Sequence, residues 1–323
     1  MTPEEARDSH GGPSALPVEL RRRYRLYLLP LVLCPVVLMV TACVVVPSRW
    51  LELRARNIYL ANLGYGATLH GADCEIVVAG DSSAMVGVDP AELRERTGMS
   101  ACNVAEFEGM TILNGTMVLD RYLAQNARPR FLVFAYTPED FDPQSQRHEI
   151  GLFEAITWRM RQPGRLLSVA ELLRHPEEFF VWVEQGLRLT VERSLNRPAP
   201  VEILEYRAKR GGQLPSDAPA PAECESAGRP HSEPDRAWVD GLRAKYGVGG
   251  TTVLMDATPM PPCDEQLAYF EQRLPGVIDN RVETFPLDAY TTDGRLHMNA
   301  AGAARFSEQI AEQILEPRVK GER

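Results

Sequence analysis

The chain has 323 residues, with 35 Lys+Arg against 44 Asp+Glu, a formal net charge of −9 and a hydrophobic share of 44%. That composition is enough for a substantial buried core and excludes a wholly disordered chain. The acidic balance, with its only dense basic run near the N-terminus, argues against nucleic acid as a partner.

Residues 1–23 mix Pro, Gly, Ser and charge, and read as a cytoplasmic tail without a fold of its own. Tyr24 to Val46 differs sharply. It holds one charge, Arg25, at its edge, and as a helix would be about 35 Å long, enough to cross a bilayer. Arg21, Arg22, Arg23 and Arg25 precede the apolar centre more densely than Arg49, Arg54 and Arg56 follow it. The positive-inside rule then sends residues 47–323 outside, as in a single-pass membrane protein. Val40-Thr41-Ala42-Cys43 also resembles a bacterial lipobox, in which Cys43 would be lipidated after cleavage. The long polar stretch ahead of the apolar run, and its continuation to Val46, favour a retained anchor.

Residues 47–72 are expected to form an amphipathic helix leading into the domain. Strands then alternate with helices. Strands are expected at Ile76–Ala79, Ala101–Ala105, Phe131–Tyr136, Thr251–Met255 and Arg281–Phe285. Helices are expected at Pro90–Thr97, Thr111–Gln125, Glu265–Leu274 and Ala300–Leu315. Apolar strands interleaved with helices predict an α/β fold with a parallel sheet covered on both faces. Residues 73–141 and 237–323 make that domain; 142–236 interrupt it as a mainly helical insertion. Within the insertion, Ile150–Arg161 and Val169–Asn196 have helical, aromatic-rich patterns, and Pro198–Pro234 reads as loop.

Of six cysteines, Cys74, Cys102, Cys224 and Cys263 lie beyond the apolar segment, an even number that an oxidising compartment can pair. Cys74 precedes the first strand and Cys102 opens the second, so parallel neighbours would put both at one end of the sheet. Cys74–Cys102 with Cys224–Cys263 is therefore the preferred pairing; four free buried thiols are the alternative.

The chemistry-bearing residues stand in two loops. Gly80-Asp81-Ser82-Ser83 follows the first strand, where open α/β sheets place ligand crevices. Asp293-Gly-Arg-Leu-His-Met-Asn299 precedes the last helix. A serine nucleophile needs a base for its proton, and the base needs an acceptor that fixes its tautomer. Ser82, His297 and Asp293 supply that set if the two loops meet. No Cys-x-x-Cys or His-x-x-x-His spacing points to a metal, and no cofactor is implied.

Gly80-Asp81-Ser82 together with Asp293…His297-x-Asn299-x-x-Gly302 resembles the first and last blocks of the SGNH (GDSL-type) hydrolases, over residues 73–140 and 250–316. The resemblance implies a flavodoxin-like three-layer sandwich, Ser82 as nucleophile, and His297 and Asp293 as its partners. It assigns the oxyanion hole to the Ser82 and Gly109 amides, with Gly109 closing the second block, Asn103–Gly109. The third block of the family carries Gly-x-Asn-Asp. Here it reads Ala135-Tyr136-Thr137-Pro138-Glu139-Asp140, so either Thr137 stands in for the Asn donor or that donor is missing. The Asp-to-His spacing is one residue longer than usual, which makes Asp288 the fallback. With an N-terminal span, the chain resembles the membrane-anchored members linked to O-acylation of bacterial cell-surface polysaccharides and teichoic acids. Those imply an acylated glycan or other acyl ester as substrate and a multi-spanning acyltransferase as partner. The alternative is a catalytically inactive scaffold or glycan-binding subunit of such an assembly.

Overall fold

The computed structural model describes residues 18–55, 58–142, 152–163, 176–191, 200–224, 233–293 and 296–316. The cytoplasmic tail expected at the N-terminus lies largely outside these residues. Helix α1, Val18–Val45, runs through Pro30 and Pro35. Its Leu26–Val45 stretch is long and apolar enough to cross a membrane, and nearly all of it is exposed on the protein. The connecting segment is not one helix. It forms α2 (Arg49–Ala55), α3 (Ile58–Asn62) and a 3-10 turn at Tyr65–Thr68.

The core is a four-stranded, all-parallel sheet in the order β2-β1-β3-β4. Strand β1 spans Ile76–Gly80, β2 Ala101–Asn103, β3 Phe131–Tyr136 and β4 Thr252–Ala257. β1 is buried along its whole length, as a strand covered on both faces must be. Register fixes the alignment, with Ile76 opposite both Ala101 and Phe131. Cys74 and Cys102 therefore meet at the N-terminal end of the sheet and form a disulfide; Cys224 and Cys263 form the second.

Two groups of helices cover the sheet. On one face lie α4 (Ser82–Gly87), α5 (Pro90–Thr97) and α13 (Ala300–Leu315). The Asp89 amide donates to Ser307 Oγ at 2.8 Å, and Gln313 Nε2 reaches Asp256 Oδ1 of β4 at 3.1 Å. On the other lie α7 (Met117–Gln125) and α11 (Arg236–Tyr246), with the Tyr246 ring tilted against that of Phe134 and its hydroxyl donating to Asp120. Phe134 and its neighbour Ala135, which pairs with Asp256, must point to opposite faces because strand side chains alternate. Because the chain leaves β1 for β2 on one side and returns to β3 on the other, the order reverses between β1 and β3. Crevices form at such switch points, outside the C-terminal strand ends.

Three further expectations fail for identifiable reasons. Residues 281–285 form no fifth strand. Only Thr284 bridges, to Met260, through Met260 N to Glu283 O and Phe285 N to Met260 O. Met260 is flanked by Pro259, Pro261 and Pro262, which lack the N–H groups a longer ladder needs. The helix expected over Thr111–Gln125 is split into α6 (Glu108–Asn114) and α7, with the break at Gly115. The loop expected after Pro198 contains a helix, α10 (Pro200–Lys209). Its Ile203 and Arg207, one turn apart, are both buried, and Arg207 donates to Gly212 O and Ala105 O. The remaining insertion helices are α8 (Leu152–Arg161) and α9 (Pro176–Val191). The outer parts of those two expected segments, and residues 225–232, fall outside the described residues.

Candidate active site

The first loop is built around two residues that leave no freedom. Gly80 ends β1 at φ 152°, and a Cβ there would sit 1.8 Å from Ala135 O of β3, so no side chain fits. Asp81 follows, 1% exposed, as N-cap of α4. Its Oδ1 accepts from the Ser83 amide, the Ser83 hydroxyl and the Ala84 amide; its Oδ2 accepts from the Thr137 amide at 2.6 Å. One carboxylate thus caps the helix and ties the end of β1 to the end of β3. Ser82, held between them as the first residue of α4, is only half-buried. Its own amide, at the first helical position, has no intrahelical acceptor.

The second loop arrives 215 residues later in sequence. His297 Nε2 lies 2.9 Å from Ser82 Oγ, and Asp293 Oδ1 lies 3.4 Å from Nδ1 of the same ring. The Nδ1 contact is within ion-pair range but is not an aligned hydrogen bond. The loop is closed by Tyr290 bridging Met298, by Thr291 N donating to His297 O, and by Asn299, which caps α13 through Gly302 N. Leu296, just before the imidazole, has φ 61°, an uncommon left-handed conformation for a non-glycine residue. The His297 ring beside it chiefly holds the Asp293 carboxyl well below the usual carboxylate range. Hydrogen bonds from Ser216 and Thr291 act in the same direction. Asp293 is therefore an anion at neutral pH. Asp288, the fallback, is exposed; the carboxylate brought to the imidazole is that of Asp293.

The expected oxyanion donors are placed unequally. Gly109 is buried in the first turn of α6, on the segment whose Glu106 amide donates to Gly80 O at the end of β1. Thr137 sits at the end of β3, but its amide is committed to Asp81, which leaves only its hydroxyl for an oxyanion.

Two parts of the site escaped the sequence reading. The first is the clamp role of Asp81, signalled only by a residue type favoured at N-caps. Asp140 supports it. Burial first, then the Asp81 charge, pushes its carboxyl well up, which favours the neutral acid beside the Asp81 carboxylate. The second is a strap, residues 210–224, from the insertion. Leu214 N donates to Met85 O, Gln213 Nε2 to Val86 O, and Pro219 O accepts from Thr292 N beside Asp293. The Cys224–Cys263 disulfide fastens its far end. No local pattern announces such contacts, because they form across the fold. Among the described residues, no cluster of His, Cys, Asp or Glu could hold a metal ion.

Comparisons with protein-family models, curated proteins and solved structures find no match for this chain.

Proposed function

We propose that this protein is an SGNH-like serine esterase or O-acyltransferase, with a flavodoxin-like catalytic domain held by its N-terminal helix at the outer face of a bacterial inner membrane. The observation that carries the reading is the 2.9 Å approach of His297 Nε2 to Ser82 Oγ, with the Asp293 carboxylate on the other ring nitrogen. Ser82 Oγ attacks the carbonyl carbon of an acyl ester while His297 Nε2 takes its proton. The tetrahedral oxyanion is met by the Ser82 and Gly109 amides. Collapse breaks the ester C–O bond, and His297 returns the proton to the departing alkoxide. The acyl-enzyme then passes its acyl group to water, in an esterase, or to a glycan hydroxyl, in a transferase, with His297 again as base.

The envelope glycan as substrate, and a multi-spanning acyltransferase as partner, extend the resemblance seen in the two sequence blocks. The external location draws support from both disulfides, which persist in oxidising compartments, and from the arginine cluster before the span. The test is covalent labelling with a fluorophosphonate. The wild-type protein is expected to be modified and Ser82→Ala to stay blank. A folded wild type that also stays blank overturns the acyl-transfer reading in favour of a non-catalytic scaffold.

A further inference from the structure

The strongest unused feature is where the insertion meets α1. A second hydrophobic cluster, separate from the sheet core, joins Ala42 and Val46 to Leu51, Phe153, Ile156, Trp158, Phe179 and Trp182. Met39 and Cys43 pack against its edge. The approach is close: a Cβ on Gly186 of α9 would lie 2.3 Å from Val46 Cγ2. Arg161 of α8 closes the exit of α1, donating to Pro47 O at 3.0 Å and pairing with Glu52 at 3.3 Å.

Length turns this packing into a statement about depth. Leu26–Val45 is 20 residues, about 30 Å of helix, which only just matches a bilayer's hydrocarbon thickness. Arg21, Arg22 and Arg23 prevent the span from sliding toward its N-terminus. The last two turns of the span, Met39 to Val45, are the part that α9 clasps. If those turns stood clear of the membrane, the rest of the span would cover only about 20 Å, too short to cross. The clasp must therefore lie at the level of lipid, and α9 with it.

The outward side of α9 suits that place. Phe179, Trp182 and Gly186 face the cluster, while Phe180, Val181 and Leu187 are exposed, Phe180 by 63% and Leu187 by 50%. Trp50, next to the span's exit, is also exposed, with the Arg54 guanidinium over its ring. Trp is enriched at membrane–water interfaces, and an Arg beside it can keep its charge at headgroup depth while its stem lies along apolar surface. Glu184 shares the outward side of α9 and limits the depth, because its carboxylate must reach the headgroups. We propose that α9 lies in the bilayer interface, with Phe180 and Leu187 among the outer acyl chains, and thereby fixes the insertion against the membrane. The proposal rests on α1 being retained as a span and is independent of the acyl-transfer reading.

The test uses the full chain in phosphatidylcholine–phosphatidylglycerol nanodiscs, with Cys34→Ala and Cys43→Ala leaving no free cysteine. Single cysteines at Val32, Phe180, Leu187 or Val248 carry an NBD fluorophore; all four native side chains are exposed. Doxyl-labelled lipids serve as quenchers. Labels at 180 and 187 are expected to emit to the blue of the label at 248 and to be quenched at least twofold more by a shallow doxyl lipid. The label at 32 should respond to a deep one. Labels at 180 and 187 that behave like 248 while 32 is quenched overturn the interfacial placement. An unquenched label at 32 removes the span itself, and this inference with it.

Discussion

The two loops that meet at the candidate site are built in opposite ways. The nucleophile's turn is over-determined. Gly80 has no room for a side chain, and Asp81 is buried with both oxygens bonded, across to the neighbouring strand. The base's loop is looser. Asp293 is 42% exposed, its contact with His297 is long, and Leu296 holds an uncommon backbone conformation beside the imidazole. The difference suggests a division of labour. On the proposed acyl-transfer reading, the attacking atom is fixed by the sheet, and the proton-handling pair is left room to tighten once substrate is present, as catalytic hydrogen bonds commonly do.

The contrast can be broken first at Gly80. Gly80→Ala forces a Cβ onto the β3 backbone and should yield no cooperative thermal transition, whereas Leu296→Gly, in the looser loop, relieves a left-handed backbone but empties a buried site and should keep a cooperative transition at a lower temperature. Next comes chemistry without stability. His297→Ala should slow fluorophosphonate labelling by about 10³-fold and Asp293→Ala by about 10²-fold, with melting temperatures within a few degrees of wild type. Equal losses for the two would mean that the longer Asp293 contact is already fully engaged. A smaller but structural effect is expected at Asp81. Asp81→Ala removes a helix cap and leaves the buried Thr137 amide unpaired, costing about 3 kcal/mol in a denaturant titration.

The mildest variant separates the loops by pH. Asp140 has a carboxyl raised by burial and by Asp81, so the stability it contributes is complete below its unfolded value, about 4, and is lost as pH rises through the elevated folded value. Asp293 is depressed, so its contribution is present above about 4 and is lost only on acidification. Asp140→Asn should flatten the alkaline decline in melting temperature and leave labelling at neutral pH within about twofold. An unchanged alkaline limb would show that the turn does not depend on that proton.

How much of this was legible follows from how local each signal is. The strand before Ser82 and the periodic last helix are written in consecutive residues, and the structure has them where the pattern put them. The meeting of Ser82 with His297 needed one further step, the rule that parallel strands share a functional edge. Strand five was misread because apolar alternation over 281–285 says nothing about its partner, whose prolines forbid a ladder. Helix α10 was hidden by its Pro- and Ala-rich surroundings, although Pro200, Glu202 and the Ile203–Arg207 spacing were a helix-start pattern in plain view. Ser216 and the Asp81 clamp work through contacts between distant segments, which residue types do not announce.

The strap across the strand ends has a bearing on where the α/β unit stops. Gly211 O accepts the Asn103 amide, and a side chain on Gly212 would strike the Asn103 carbonyl, so this stretch is a wall of the α/β body rather than an appendage. Excising everything between β3 and α11 would strip that wall away and leave Asn103, Met85 and Val86 with unmatched polar groups. A shortened protein that keeps its native hydrogen bonding must retain residues 200–224 and the Cys263 partner of their tether, which puts the removable portion before Pro200.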